Sequence, residues 1–241
     1  MPQSDYAYET EVPLLIEVMD SRSAFYRLLA RLLLKPLDTE EIDQLTKADF
    51  VSQSKALKDA DDNANLVEGL NDMGRGLRRQ HTGTRTILAT DYTMCFDGIT
   101  QIEGKTASPY ASVFLSKEGI LYQEPRNSVY LEFLQSGVHL KSGIDLPEDH
   151  IAFELEYMAI IAERCKEALS DNRQDEAIQL IEQSCLFLEK HILSWIPQFA
   201  DVALAILKTR FYQGVIKTLL GYTQFDFATL SAMKGVYCEN E

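Results

Sequence analysis

The sequence has no apolar run approaching the ~18 to 20 residues that a membrane-crossing helix needs, so no integral membrane protein is expected. It has no Cys-x-x-Cys pair either. Cys95, Cys165, Cys185 and Cys238 are widely spaced, with Cys165 and Cys185 on apolar helical faces, which points to buried thiols in a reducing compartment. A basic leader is missing: the N-terminal stretch carries Asp5, Glu9 and Glu11, and the chain is read as cytoplasmic. Basic residues are outnumbered overall, 23 Lys and Arg against 37 Asp and Glu, for a formal net charge of -14. That balance repels a nucleic-acid backbone; it attracts a basic ligand or simply keeps the protein dispersed. The motifs H-E-x-x-H, G-x-S-x-G and the glycine-rich dinucleotide fingerprint are all absent.

What is present is helical periodicity and enough apolar residues, 46% of 241, for an ample core. Leu15, Met19, Tyr26, Leu29 and Leu33 mark a first helix that Pro36 stops. Asp38 with Glu41 has the spacing of a capping box and opens a second. After a polar break from Asp59 to Asn65, the period returns at Leu66, Leu70, Met73 and Leu77, weakened by Gly74 and Gly76. Residues 97–128 lose it, with Gly98, Gly104, Pro109, Gly119 and Pro125 as punctuation, and a connection so long and aromatic is usually functional.

Helical pattern resumes from Val129 to Gly137. The central helix of the pattern runs to Lys166, with Asp145 as N-cap, Glu148 three residues on, and Ile151, Leu155, Met158, Ala162 and Cys165 on its core face. Ala177 to Ile192 and Val202 to Leu219 predict two more, separated by a break at Pro197 and ended by Gly221, with a short helix from Phe225 to Met233. The fold expected is all-α and two-lobed: residues 1–137, a hinge at 138–147, and residues 148–241.

Candidate chemistry is sparse. Gly98 to Thr106 resembles a phosphate loop, but five residues separate Gly98 and Gly104 where four are required, and Pro109 follows too soon for the cradling helix. His150 and Glu154, four apart, share a helix face with Asp149 nearby. They suit a hydrogen-bonded helix start or a ligand contact better than a metal site, which needs more ligands than the other histidines supply, and no convergent nucleophile accompanies them. Asp91 beside Tyr92 can hold an arginine by pairing and stacking, or is a surface acid beside a core face.

Four stretches together resemble the TorD/DmsD/NarJ family of redox-enzyme maturation chaperones. They are D-Y-x-x-x-F at Asp91 to Phe96, P-Y-x-S-V-F at Pro109 to Phe114, P-E-D-H at Pro147 to His150, and H-x-x-x-W-x-x-x-F at His191 to Phe199. Cys95 stands where the family more often has leucine, and Tyr110 where many members have tryptophan. The resemblance implies a cytoplasmic protein without catalytic residues, metal or cofactor of its own. It would bind the twin-arginine signal peptide of an apo-molybdoenzyme, delay its export and assist insertion of the molybdopterin cofactor, with that cofactor or its biosynthetic proteins as further partners. Two guanidinium groups followed by an apolar stretch call for carboxylates beside an aromatic groove. Asp91, Asp149 and Glu154 are the candidate carboxylates; Tyr92, Phe96, Pro109, Tyr110, Val113 and Phe114 the candidate wall; Ser112 and His150 the orienting groups. The competing readings are a helical adaptor docking a redox-enzyme subunit that is not exported, and a hydrolase using nucleotide near Gly104-Lys105-Thr106 or a metal near His150.

Overall fold

The structure, a computed structural model, describes residues 4–60 and 63–238. Among them the chain forms α1 (Ser4–Leu34), α2 (Thr39–Lys47), α3 (Phe50–Ala60), α4 (Ala64–Gly76), α5 (Thr84–Phe96), α6 (Ala111–Leu115), α7 (Glu124–Gln135), α8 (Ile151–Ser170), α9 (Gln174–Phe187), α10 (Ile196–Ile206) and α11 (Arg210–Cys238). Among the described residues the regular elements other than α-helix are a π-turn at Leu188–Ile192 and an antiparallel hairpin, β1 (Gln101–Ile102) with β2 (Lys105–Thr106). The expected all-α architecture is what forms.

Around the link between α1 and α2 the expectation from neighbouring residues holds. α1 stops just before Pro36, because proline disfavours helical backbone in the residue ahead of it. The Asp38 carboxylate accepts from the Glu41 amide at 2.9 Å while the Glu41 carboxylate accepts from the Asp38 amide at 2.9 Å, closing the capping box of α2. The polar break falls between α3 and α4, with residues 61–62 outside the described set. The phosphate-loop look-alike is the hairpin: Glu103 and Gly104, at φ 51° and 79°, supply the two left-handed residues of a tight turn that matches strand twist.

Two helix pairs carry the core. α1 lies along α8, burying Met19, Tyr26, Leu29 and Leu33 against Leu155, Met158, Ala162 and Cys165. α4 lies along α11 at backbone contact distance, and here glycines decide the geometry. A Cβ on Gly214 would stand 2.5 Å from the Met73 amide nitrogen, and one on Gly221 2.3 Å from that of Leu66. Gly221 was expected to end a helix; instead α11 runs through it, because the glycine serves helix-to-helix approach and its φ stays helical. Elements from before and after residues 138–147 thus share one continuous hydrophobic core.

Candidate functional site

The residues of the P-Y-x-S-V-F and P-E-D-H stretches meet where α6 and α8 begin. Tyr110 pairs with His150 as a single antiparallel bridge; the Ala111 amide donates to the Asp149 carbonyl at 3.0 Å and the Ile151 amide to the Pro109 carbonyl at 2.9 Å. α6 has no side-chain cap of its own. Asp149 provides one from across the fold, its Oδ2 accepting from the Ser112 amide at 2.8 Å. α8 starts at Ile151, later than the capping box at Asp145 and Glu148 implied. Its cap is His150, whose Nδ1 accepts from the Ala152 amide at 3.1 Å. Glu148 instead pairs with Arg126 of α7 at 2.9 Å. The delay has a tertiary cause: Asp149 and Ile151 are bonded to residues 109–112, which keeps His150 extended in the bridge and lets the helix begin only after it.

An accepting Nδ1 puts the proton on Nε2 and requires a neutral ring. Burial, which penalises the imidazolium, takes His150 from 6.5 down to about 4. The sign follows from linkage: the unfolded chain takes up a proton between pH 6.5 and 4 that the folded cap refuses, so stability present above 6.5 is lost as pH falls through that window. Glu154, whose carboxyl burial holds well above its usual range, runs the other way and gains on acidification. The contribution of His150 is therefore isolated by comparison with His150→Asn, a capping residue that does not titrate. The stability advantage of the wild type over the variant is expected to shrink by roughly 3 kcal/mol from pH 7 to pH 4 in urea unfolding, and a constant difference would refute this role.

Against this clasp of the two helix starts packs a wall of aromatic rings. Trp195, fully buried at the end of the π-turn, donates from Nε1 to the His191 carbonyl at 2.7 Å and to Glu154 Oε2 at 3.3 Å. Phe114 stacks on Trp195 with centroids 5.5 Å apart, and Phe199 packs against both. Glu154 is completely buried, and its carboxyl is pushed well above the usual range, first by desolvation and then by the nearby Asp149 charge. Glu154 Oε1 and Asp149 Oδ1 are buried with no hydrogen-bond partner among the described residues. Burial likewise raises the Asp149 carboxyl, against the pull of the Ser112 hydrogen bond.

Of the residues expected to form one site, Pro109, Tyr110, Ser112, Val113, Phe114, Asp149, His150 and Glu154 are brought together here. The α5 group is not. Tyr92 and Phe96 lie in the core, Tyr92 donating to the Leu33 carbonyl at 2.8 Å; Phe96 reaches the wall only through Phe199, at 6.0 Å. Asp91 is buried and accepts from the Lys208 and Thr209 amides at 3.0 and 2.8 Å and from the Thr209 hydroxyl, capping the start of α11. The expectation that Asp91, Asp149 and Glu154 offer carboxylates to a ligand is corrected accordingly: all three are buried, two of them spent on helix caps. Sequence reasoning assigned no role to His191, Trp195 or Arg126. The four-residue spacing of His191 and Trp195, which places both on one helix face, was the available signal. Among the described residues no three His, Cys, Asp or Glu side chains converge as metal ligands, and no helix is long and apolar enough to cross a membrane.

Exposed apolar side chains concentrate in the part of the sequence that contains and links the two halves of this junction. Ten of the fourteen exposed large hydrophobic side chains among the described residues fall between Ile99 and Leu146, including Leu115, Tyr130, Leu131 and Leu134. The described chain is thus helical, with two helix starts bonded to each other across the fold beside an aromatic cluster. The chain belongs to the nitrate reductase delta subunit family, whose sequence profile matches residues 55–201 and so spans both the clasp and the π-turn. It is similar to the chaperone protein TorD of Vibrio vulnificus strain YJ016, 28% identical over 86% of this chain and 93% of that one. It is likewise similar to TorD of Aliivibrio fischeri, at 26% over 88% and 95%, and of Vibrio parahaemolyticus, at 24% over 88% and 95%.

Proposed function

We propose that this protein is a cytoplasmic chaperone that binds the twin-arginine signal peptide and apo form of a molybdopterin-containing oxidoreductase, holding it back from export and assisting cofactor insertion. The observation that carries this reading is the concentration of exposed apolar side chains around α6 and α7 on a chain of net charge -14. A leader segment with two guanidinium groups ahead of an apolar stretch is complementary to both features. In this reading Asp149, His150 and Glu154 do not touch the peptide. They hold α6 in place, so that Tyr110, Val113 and Phe114 form the backing of the seat, while Tyr92, Phe96 and Asp91 support it from the core. Binding is sequestration, with no covalent step.

The test is titration calorimetry with a synthetic twin-arginine leader. Affinity should be about tenfold weaker at ~0.5 M salt than at ~0.05 M, because part of the attraction is between charges near solvent. Absence of binding, or an affinity indifferent to salt, would remove the proposal.

A further inference from the structure

Between α6, the turn at 116–123, the start of α7 and the π-turn lies a cavity of about 410 Å³. Its polar lining is unusual in what it leaves unpaired. His191 lines it with a side chain only 5% exposed, yet Nε2 has no hydrogen-bond partner among the described residues, the nearest charged group being the Glu132 carboxylate at 3.7 Å. The π-turn inserts an extra residue into the helical register, and such insertions recur at functional sites. Here the register is locked by Trp195, which takes the His191 carbonyl. Glu118 and Glu124 also line the cavity and enter no ion pair among the described residues, whereas Lys190 is drawn to Glu132 at 3.5 Å. That leaves Lys117 as the one uncommitted cation facing two uncommitted carboxylates.

The start of α7 does not turn this into an anion site. Pro125 has no N–H, and the Arg126 amide already donates to the Gln123 carbonyl at 3.1 Å, so few free amides point outward. Leu115 and Pro125 supply apolar wall, which suits the aliphatic stem of a long basic side chain. Burial and then the Lys190 charge take His191 from 6.5 down to about 4 against the pull of Glu132, and the neutral ring, in the tautomer protonated on Nδ1, can offer Nε2 as an acceptor once Glu132 is drawn to Lys190.

We propose that this cavity accepts one arginine side chain of the bound segment, its stem against Leu115 and Pro125, its guanidinium between Glu118 and Glu124 and donating one N–H to His191 Nε2. The assignment rests on the leader-peptide reading and adds to it where an arginine is read. Glu118 is exposed, and Glu124 caps nothing beyond the first turn of α7, so the double variant Glu118→Gln, Glu124→Gln should fold.

The experiment compares wild type and double variant, as full chains, for two peptides at low salt: a twin-arginine leader and the same leader with both arginines replaced by lysine. Nitrogen NMR of the His191 ring is followed in parallel, with inorganic phosphate as a second probe. The double variant is expected to bind the arginine leader about tenfold more weakly and the lysine leader more weakly by a clearly smaller factor, since the planar guanidinium forks onto carboxylates where an ammonium meets them as a point charge. The His191 Nε2 signal should move with the arginine leader and stay still with phosphate. If wild type binds the leader while the double variant binds it equally well and His191 does not respond, the arginine lies elsewhere and this assignment fails with the leader reading intact. A response to phosphate alone would make the cavity an anion site and overturn it. No binding by wild type would sink the leader reading itself, and the assignment with it.

Discussion

Asp226→Ala is expected to lower the unfolding free energy by roughly 3–5 kcal/mol, the cost of leaving a buried charge without its counter-ion. Asp226 sits on α11 and receives Arg22 of α1 in a two-pronged pair, Nε to Oδ1 at 2.7 Å and Nη2 to Oδ2 at 2.9 Å, while Tyr26 donates its hydroxyl to Oδ2 at 2.6 Å. Both charged partners are about 95% or more buried. Desolvation alone would make Arg22 easier to deprotonate; the Asp226 carboxylate more than reverses this and holds it firmly charged. Alanine at 226 strands the guanidinium between helices with only weak contacts left, to the Met19 sulfur at 3.1 Å and over the Tyr26 ring at 5.9 Å. The comparison that separates stranded charge from lost attraction is Arg22→Met with Asp226→Leu, which should recover most of the loss, since well-packed apolar replacements of buried pairs are often neutral. Urea unfolding of the three proteins measures it, and a single-variant loss under ~1 kcal/mol would show that water reaches the pair.

Gly214→Val should be comparably damaging, at least ~3 kcal/mol or outright failure to fold, by forcing α4 and α11 apart. The added Cβ would meet the Met73 nitrogen at 2.5 Å and the Gly69 carbonyl oxygen at 2.7 Å, both backbone atoms that no rotamer change can move. Gly69 faces the same crossing, its own Cβ position 2.5 Å from the Thr218 nitrogen, so neither helix can yield without the other. Gly137→Ala is the control. Nothing lies within 4 Å of its Cβ position, and its cost should be only the ~1–2 kcal/mol of a left-handed φ, here 63°. Thermal or urea denaturation ranks the two; equal costs would mean the helix crossing is looser than its distances imply.

The clasp shows how far a site can be read before its partners are known. The stretches around Tyr110 and His150 are short, polar-aromatic and flanked by prolines, and they could be singled out as a pair because nothing local explained them. That they would bond to each other across 37 residues, through Ser112 and Asp149, had no trace in spacing or periodicity. For the same reason acidic residues beside aromatics could be recognised as unusual but not assigned an exposure. A carboxylate on a binding rim and one spent on a distant helix cap look alike until the acceptor's partner is in place.

The amino-acid order alone determined the helices whose signals lie within a few residues of each other: the stop at Pro36, the Asp38 and Glu41 box, the apolar stripes of α4 and α8, and the all-helical class. Hydrogen bonds and side-chain contacts over one or two turns require no information from the rest of the chain. The tertiary structure alone decided that Asp91 starts α11 from 117 residues away, that α8 waits until Ile151, that α11 passes through Gly221, and that His191 faces a cavity unpaired. Each depends on which backbone arrives within about 3 Å of a given group, and that is settled only when the helices pack.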